Sequence, residues 1–459
     1  MRMIFAVAAL ISLSWPAVAA EESFPYAGFG KVTVYRGEGE PKEVVLFVSG
    51  DGGWNQGVVD MARSLAALDT LVVGIDIIAY LKSAAGTTEK CTYAAGDLER
   101  LSQFVQKKYG IKQYRVPVLV GYSSGATLVY AALVQAPVGP FSGGISLGFC
   151  PDLKTAKPLC KGRDLAWSSN AKLGAIYKPS SVLETPWTAL HGDIDQVCDL
   201  AQARAFVEQV PNGKLTVLPK VGHGFSVQKN WMPQFKTAFT EITERDSGGA
   251  VPVAAEVGDL PLVEVPTGSE EGQSLAILLT GDGGWAGLDR EIGATLAKRG
   301  VPVVGFNSLG YFWTKRSPEE AAADLQRVIT HYTAAWKKSR ITLIGYSFGA
   351  DVLPFIVRRL PPEMRSQIDK VVLLALSDSA VFEFSIGDWI GSHRADAVPV
   401  LPEVEALQSV PLLCVYGIEE TDSLCKKLPE APGRSVLETK GGHHFGGDVG
   451  PIVEAILKP

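Results

Sequence analysis

Two serines in this 459-residue chain stand where a hydroxyl could act as a nucleophile. Ser347 lies in Gly345-Tyr346-Ser347-Phe348-Gly349 and Ser123 in Gly121-Tyr122-Ser123-Ser124-Gly125, each after an apolar run and before a helical one. A Gly-x-Ser-x-Gly turn in that setting projects the hydroxyl between strand and helix, and the helix N-terminus faces the charge that develops on a substrate carbonyl. A base must then follow. Gly222-His223-Gly224-Phe225 and Gly442-His443-His444-Phe445 supply one near the end of each half, and matching the two loops pairs His223 with His443, leaving His444 as the rival. Carboxylates that could orient these imidazoles lie in Gly192-Asp193-Ile194-Asp195 and in Gly417-Ile418-Glu419-Glu420-Thr421-Asp422. The shared pattern Asp-x-apolar-Cys, at Asp195 to Cys198 and Asp422 to Cys425, points to Asp195 and Asp422; Glu420 stays open, since either carboxylate type can hold the ring.

The second element of such a site is a pair of amide donors for an oxyanion. Gly281-Asp282-Gly283-Gly284-Trp285, after an early apolar run, is where one is expected, at Asp282 or Gly283, and Phe348 should give the other. Asp282 either caps its own loop or faces a cationic group on the substrate. The first half carries the same loop as Gly50-Asp51-Gly52-Gly53-Trp54. Loop, serine turn and histidine thus recur in the same order, so the chain is two copies of one plan. Ser347, His443 and Asp422 form the expected catalytic set, and Ser123, Asp195 and His223 a candidate second set.

The elements that must position these groups are legible as well. Short β-branched runs alternate with helical patterns, as in βαβ units with a mainly parallel sheet. Buried strands are predicted at 71–75, 301–306, 371–376 and 411–416. Ser317-Pro318-Glu319-Glu320 opens a helix with a capping box, and Leu325, Val328, Ile329, Tyr332 and Trp336 form its buried stripe. The expected fold is α/β, with two tandem α/β-hydrolase-like domains at 24–244 and 258–459, each a mainly parallel sheet flanked by helices, joined by a linker at 245–257.

Composition bounds the rest. With 46% hydrophobic and 20% charged residues the chain is globular, and a net charge of -6 argues against nucleic acid as partner. Residues 1–20 read as a signal peptide, with cleavage expected after Ala19 or Ala20, so a periplasmic location is expected. The six cysteines divide four and two between the halves, which suggests pairing within each half; by proximity Cys150 with Cys160 and Cys414 with Cys425 are favoured. No metal or cofactor is expected. The loop Tyr311-Phe312-Trp313-Thr314-Lys315-Arg316 suits either a membrane interface or ordinary packing.

Taken together, the paired Gly-Asp-Gly-Gly-Trp loops, the two serine turns and the closing Gly442-His443-His444-Phe445 resemble the AcvB/VirJ bacterial virulence proteins, in the longer AcvB form. That resemblance implies a periplasmic serine esterase that hydrolyses aminoacyl-phosphatidylglycerol, lysyl or alanyl, at the membrane surface, with the family's serine carried onto Ser347. The substrate ammonium would need a counter-charge, for which Asp351, Glu419, Glu420 and Asp282 are candidates. Two other readings remain: a non-catalytic periplasmic adaptor for type IV secretion substrates, with secretion-system proteins as partners, and a general carboxylesterase on soluble esters.

Overall fold

Each apolar run becomes a strand because both of its faces are covered, which only parallel sheets with helices on either side require. The computed structural model describes residues 20–37, 39–248, 256–268, 272–385, 396–408 and 410–458. The first half contains β1 (Ala20–Tyr26), β2 (Gly30–Arg36), β3 (Glu43–Val48), β4 (Thr70–Ile75), β5 (Val118–Tyr122) and β6 (Gly143–Leu147). After these come β7 (Asp152–Leu153), β8 (Trp167–Asn170) and β9 (Gly174–Tyr177), which form a small separate sheet, and then β10 (Trp187–Gly192) and β11 (Gly213–Leu218). The main sheet runs β1-β2-β4-β3-β5-β6-β10-β11. Its first two strands are antiparallel to their neighbours and the rest are parallel.

The second half repeats this with one strand fewer. It holds β12 (Leu262–Val265), β13 (Ser274–Leu279), β14 (Val303–Phe306), β15 (Arg340–Tyr346) and β16 (Ile368–Leu374). The short pair β17 (Ser379–Ala380) and β18 (Val398–Pro399) precedes β19 (Leu412–Gly417) and β20 (Arg434–Thr439). The order is β12-β14-β13-β15-β16-β19-β20, with only β12 antiparallel. Along β13, Leu275, Ile277 and Leu279 join one core cluster while Ala276 and Leu278 join the other, so alternate side chains fill opposite faces. Both halves are α/β-hydrolase folds.

The expected helix is present at Pro318–Ala335 with its capping box: Ser317 Oγ accepts from the Glu320 amide, and the Glu320 carboxylate accepts from the Ser317 amide. Leu325, Val328, Ile329 and Tyr332 are buried on it. The joint between the halves is shorter than 245–257. The helix Met232–Gly248 runs into it from one side, and Val257, fully buried, already belongs to the second core from the other. Of the expected signal peptide only Ala20, the first residue of β1, falls among the described residues.

The loop 311–316 resolves in favour of packing. Tyr311, Phe312 and Trp313 are buried, and Trp313 seals the seam between the halves. Its indole N–H donates to the Ile111 carbonyl at 2.7 Å, its ring lies 5.1 Å from that of Tyr114, and the Lys107 ammonium sits 4.8 Å from its centroid. No membrane-facing role is left for these rings. Among the described residues no helix is long and apolar enough to cross a membrane.

Cysteine pairing corrects one expectation. The bonds are Cys91–Cys160, Cys150–Cys198 and Cys414–Cys425, so Cys150 does not join Cys160. The residues that follow β6 and β10 come together at adjacent strand ends, which brings Cys150 to Cys198 across 48 residues of sequence. Proximity in sequence decided correctly only for the second half.

Candidate active site

In both halves the serine sits where a parallel strand stops and a helix starts, with a backbone that few residues tolerate. Ser123 has φ 55° and ψ -122°, and Ser347 has φ 51° and ψ -120°. The left-handed φ is held by the close approach of strand and helix around each serine. A Cβ on Gly349 would lie 2.2 Å from the Leu279 carbonyl oxygen, and one on Gly345 would lie 2.5 Å from that of Gly349. The glycines of the turn are therefore required by space in both halves; in the first, a Cβ on Gly121 would meet the Gly125 carbonyl at 2.2 Å.

The neighbouring strand delivers the Gly-Asp-Gly-Gly-Trp loop to the same point. Leu279 pairs with Gly345 and Val48 with Gly121, so the loop that follows β13 or β3 emerges beside the serine. A Cβ on Gly281 would lie 3.5 Å from that of Ser347, which brings the loop backbone against the nucleophile. The tryptophan closes the loop by packing flat on the next strand: the Trp285 ring occupies the space above Gly305, where a Cβ would come within 2.4 Å of it. Phe348 opens the helix Phe348–Arg359, so its amide is a first-turn donor without an intrahelical acceptor. Asp282 and Gly283 lie in the facing loop, and Phe348 with them forms the candidate oxyanion hole.

The histidines arrive from loops after the last strand of each sheet. In the second half Ser347 Oγ is 2.9 Å from His443 Nε2, and His443 Nδ1 is 2.9 Å from Glu420 Oε1. Glu420 Oε2 accepts from the Gly417 amide at 2.8 Å, which fixes the carboxylate. The residue on the imidazole is thus Glu420 and not Asp422, which is exposed. The two cysteines used to align the acid loops bond to different places, Cys198 to the loop after β6 and Cys425 back to β19, so they do not mark equivalent positions. His444 turns away to Tyr346, its Nδ1 2.7 Å from that hydroxyl. Burial first, and then His443, hold the His444 imidazole below its ordinary value.

The first half carries a parallel chain of contacts. Ser123 Oγ lies 2.9 Å from His223 Nε2, and His223 Nδ1 lies 2.8 Å from Asp195 Oδ2. Burial alone would raise the Asp195 carboxyl, but the Cys198 amide, the His223 ring and the Val197 amide outweigh it and hold the group below its usual range. Asp195, Cys198 and His223 approach closely enough to suggest a metal ligand set. The chemistry does not fit: the Cys198 sulfur is in a disulfide, and both ring nitrogens of His223 are engaged.

The carboxylates proposed for a substrate ammonium divide. Glu420 is committed to His443, so it leaves that list. Asp351 sits beneath the site and accepts from the Ser377 amide at 2.8 Å; burial, opposed by Ser377 and aided by Asp378 and Asp282, raises its carboxyl to about 8. Glu419 lies against Gly442 in the base loop. Asp282 is exposed at the mouth. Sequence reasoning missed a fourth group, Glu99, which the first half contributes. Its Oε1 would be 3.8 Å from a Cβ on Gly283, and burial together with Asp282 raises its carboxyl to about 8. No signal in the sequence joins residue 99 to residue 283, because the contact forms only when the two halves meet.

Fold and site together define a chain of two α/β-hydrolase domains, each with a serine, histidine and carboxylate in contact. A family model described as bacterial virulence protein (VirJ) matches residues 42–138 and 273–459, more than half of the chain. The chain belongs to the VirJ family. Solved structures similar to it include a protein from Thermus thermophilus, with 17% identity over 49% of this chain and 97% of that one, TM-score 0.34. A serine hydrolase without a lid from Xanthomonas campestris has 18% identity over 52% and 98%, TM-score 0.31. A dienelactone hydrolase from Anabaena variabilis has 14% identity over 50% and 98%, TM-score 0.35. None of the curated proteins compared with the chain matches it.

Proposed function

We propose that the second half is a serine esterase that hydrolyses aminoacyl-phosphatidylglycerol in the periplasm, releasing the amino acid and the anionic lipid. The observation that carries the reading is the contact chain Ser347–His443–Glu420 at the mouth of the second sheet. Ser347 Oγ attacks the ester carbonyl and passes its proton to His443 Nε2, and Glu420 balances the imidazolium. The amides of Phe348 and the Asp282–Gly283 loop receive the oxyanion. His443 returns the proton to the departing glycerol oxygen. Water, deprotonated by the same ring, then releases the aminoacyl group. Asp282, exposed in the loop that stands against Ser347, offers a carboxylate that suits an ammonium-bearing acyl group. The three disulfides suit an oxidising compartment.

One observation favours a broader esterase: the His443 side chain is 44% exposed, so the site is open to soluble esters as well. Purified protein offered vesicles of lysyl-phosphatidylglycerol, alanyl-phosphatidylglycerol and a short soluble ester separates the readings. Release of amino acid from the vesicles, absent in Ser347→Ala, supports the lipid substrate. Turnover of the soluble ester alone would replace it with the general carboxylesterase, and no turnover of any ester would favour an adaptor for secretion substrates.

A further inference from the structure

Nothing in the second-half reading uses the first-half serine, yet its surroundings are as complete. The strained Ser123 backbone, the Ser123–His223 contact and the Asp195 carboxylate with two amide donors are all assembled there. The Asp195 side chain is fully buried and that of His223 only 15% exposed, so this imidazole is better screened from water than His443. The Ser123 backbone holds the same sparsely populated conformation as that of Ser347, with φ 55° against 51°. Loop Gly50 also stands against it: a Cβ there would come 2.9 Å from that of Ser123.

What differs between the halves is the wall beside the nucleophile. In the second half that wall is apolar, with the Phe348 ring stacked on Phe384 at 4.3 Å and tilted against Phe312 at 5.2 Å. In the first it is Ser124, whose hydroxyl donates to Asp51 Oδ1 at 2.6 Å. Asp51 is exposed at the mouth. It has no basic partner among the described residues.

We propose that Ser123, His223 and Asp195 form a second ester-hydrolysing centre that takes a water-soluble carboxylic ester bearing an ammonium group, which Asp51 attracts. Ser123 Oγ bonds to the carbonyl carbon as its proton moves to His223 Nε2. The ester C–O bond breaks and the alcohol leaves with that proton. Water then adds to the acyl carbon, the bond from that carbon to Ser123 Oγ breaks, and the proton taken from water by His223 passes to Ser123 Oγ. The sum is ester plus water to acid plus alcohol.

The test uses full-length protein with Ser347→Ala, so that failure of the second-half reading has no bearing on it. A fluorophosphonate probe should label Ser123 in this variant, mapped by peptide mass spectrometry, and lysine p-nitrophenyl ester should be hydrolysed. Adding Ser123→Ala should remove both, with a rate loss on the order of 10⁴ or more. Asp51→Asn should lower the preference for the lysine ester over p-nitrophenyl acetate by roughly fivefold, as expected for one exposed ion pair. A Ser347→Ala protein that unfolds cooperatively like wild type but is neither labelled at Ser123 nor active overturns the second centre. Labelling with an unchanged ester preference in Asp51→Asn overturns the ammonium assignment.

Discussion

Replacing Glu420 by Gln keeps the shape of the acid side chain and removes its charge, so it isolates what the carboxylate does for His443. The two groups are 2.9 Å apart, and the Glu420 side chain is only 9% exposed. Opposite unit charges about 4 Å apart attract by about 4 kcal/mol at an effective dielectric near 20, roughly a thousandfold in rate if the imidazolium forms in the transition state. The exposure of His443 lets water screen part of this, so kcat/KM should fall by about 100- to 1,000-fold in Glu420→Gln. Asp422→Asn removes a solvated charge and should change kcat/KM by about twofold or less. Stopped-flow hydrolysis of a p-nitrophenyl ester, with circular dichroism on each variant, measures both. The reasoning is refuted if Asp422→Asn loses as much activity as Glu420→Gln is expected to lose, or if Glu420→Gln keeps wild-type rates.

Glu99 should make stability depend on pH. Its carboxyl is raised from an ordinary 4.5 to about 8, by burial and then by Asp282. Below about pH 4.5 both folded and unfolded chains carry the proton and there is no cost. Between about 4.5 and about 8 the unfolded chain ionises while the fold keeps its proton, so stability falls as pH rises, by up to roughly 1.4 kcal/mol per pH unit. Glu99→Gln should flatten Tm across that window and raise it near pH 8, which thermal unfolding at several pH values will show. Removing the Cys414–Cys425 bond, 11 residues apart, with paired alanines should cost roughly 3 kcal/mol in denaturant unfolding and lower kcat/KM by freeing the Glu420 loop. Gly349→Ala forces a Cβ to 2.2 Å from the Leu279 carbonyl oxygen; it should abolish activity, and full activity in a kinetic assay would contradict the elbow geometry.

Much of this arrangement was legible because it is local or repeated. The Gly-x-Ser-x-Gly turns, the capping box at Ser317 and the strands at 71–75 and 411–416 are each encoded within a few residues, and the order of loop, serine and histidine appears twice. The acid was harder. Its neighbours in sequence offered Glu419, Glu420 and Asp422, and only the three-dimensional course of the loop decides which carboxylate faces the ring. The cysteines misled for the same reason, since Cys198 reaches back to Cys150 while Cys425 closes its own loop. Glu99 and the burial of Trp313 depend on how one half packs against the other, and no periodicity within either half records that contact. The linker read longer than it is because Gly248 and Val257 carry no local sign of the helix and core that claim them.

The most direct measurement is acid-quenched mass spectrometry of wild-type protein turning over lysyl-phosphatidylglycerol in vesicles. A lysyl group attached to the peptide that contains Ser347, missing in Ser347→Ala together with turnover, is the expected result. Unimpaired lipid hydrolysis by Ser347→Ala, with no acyl group ever found on that peptide in the wild type, would contradict it.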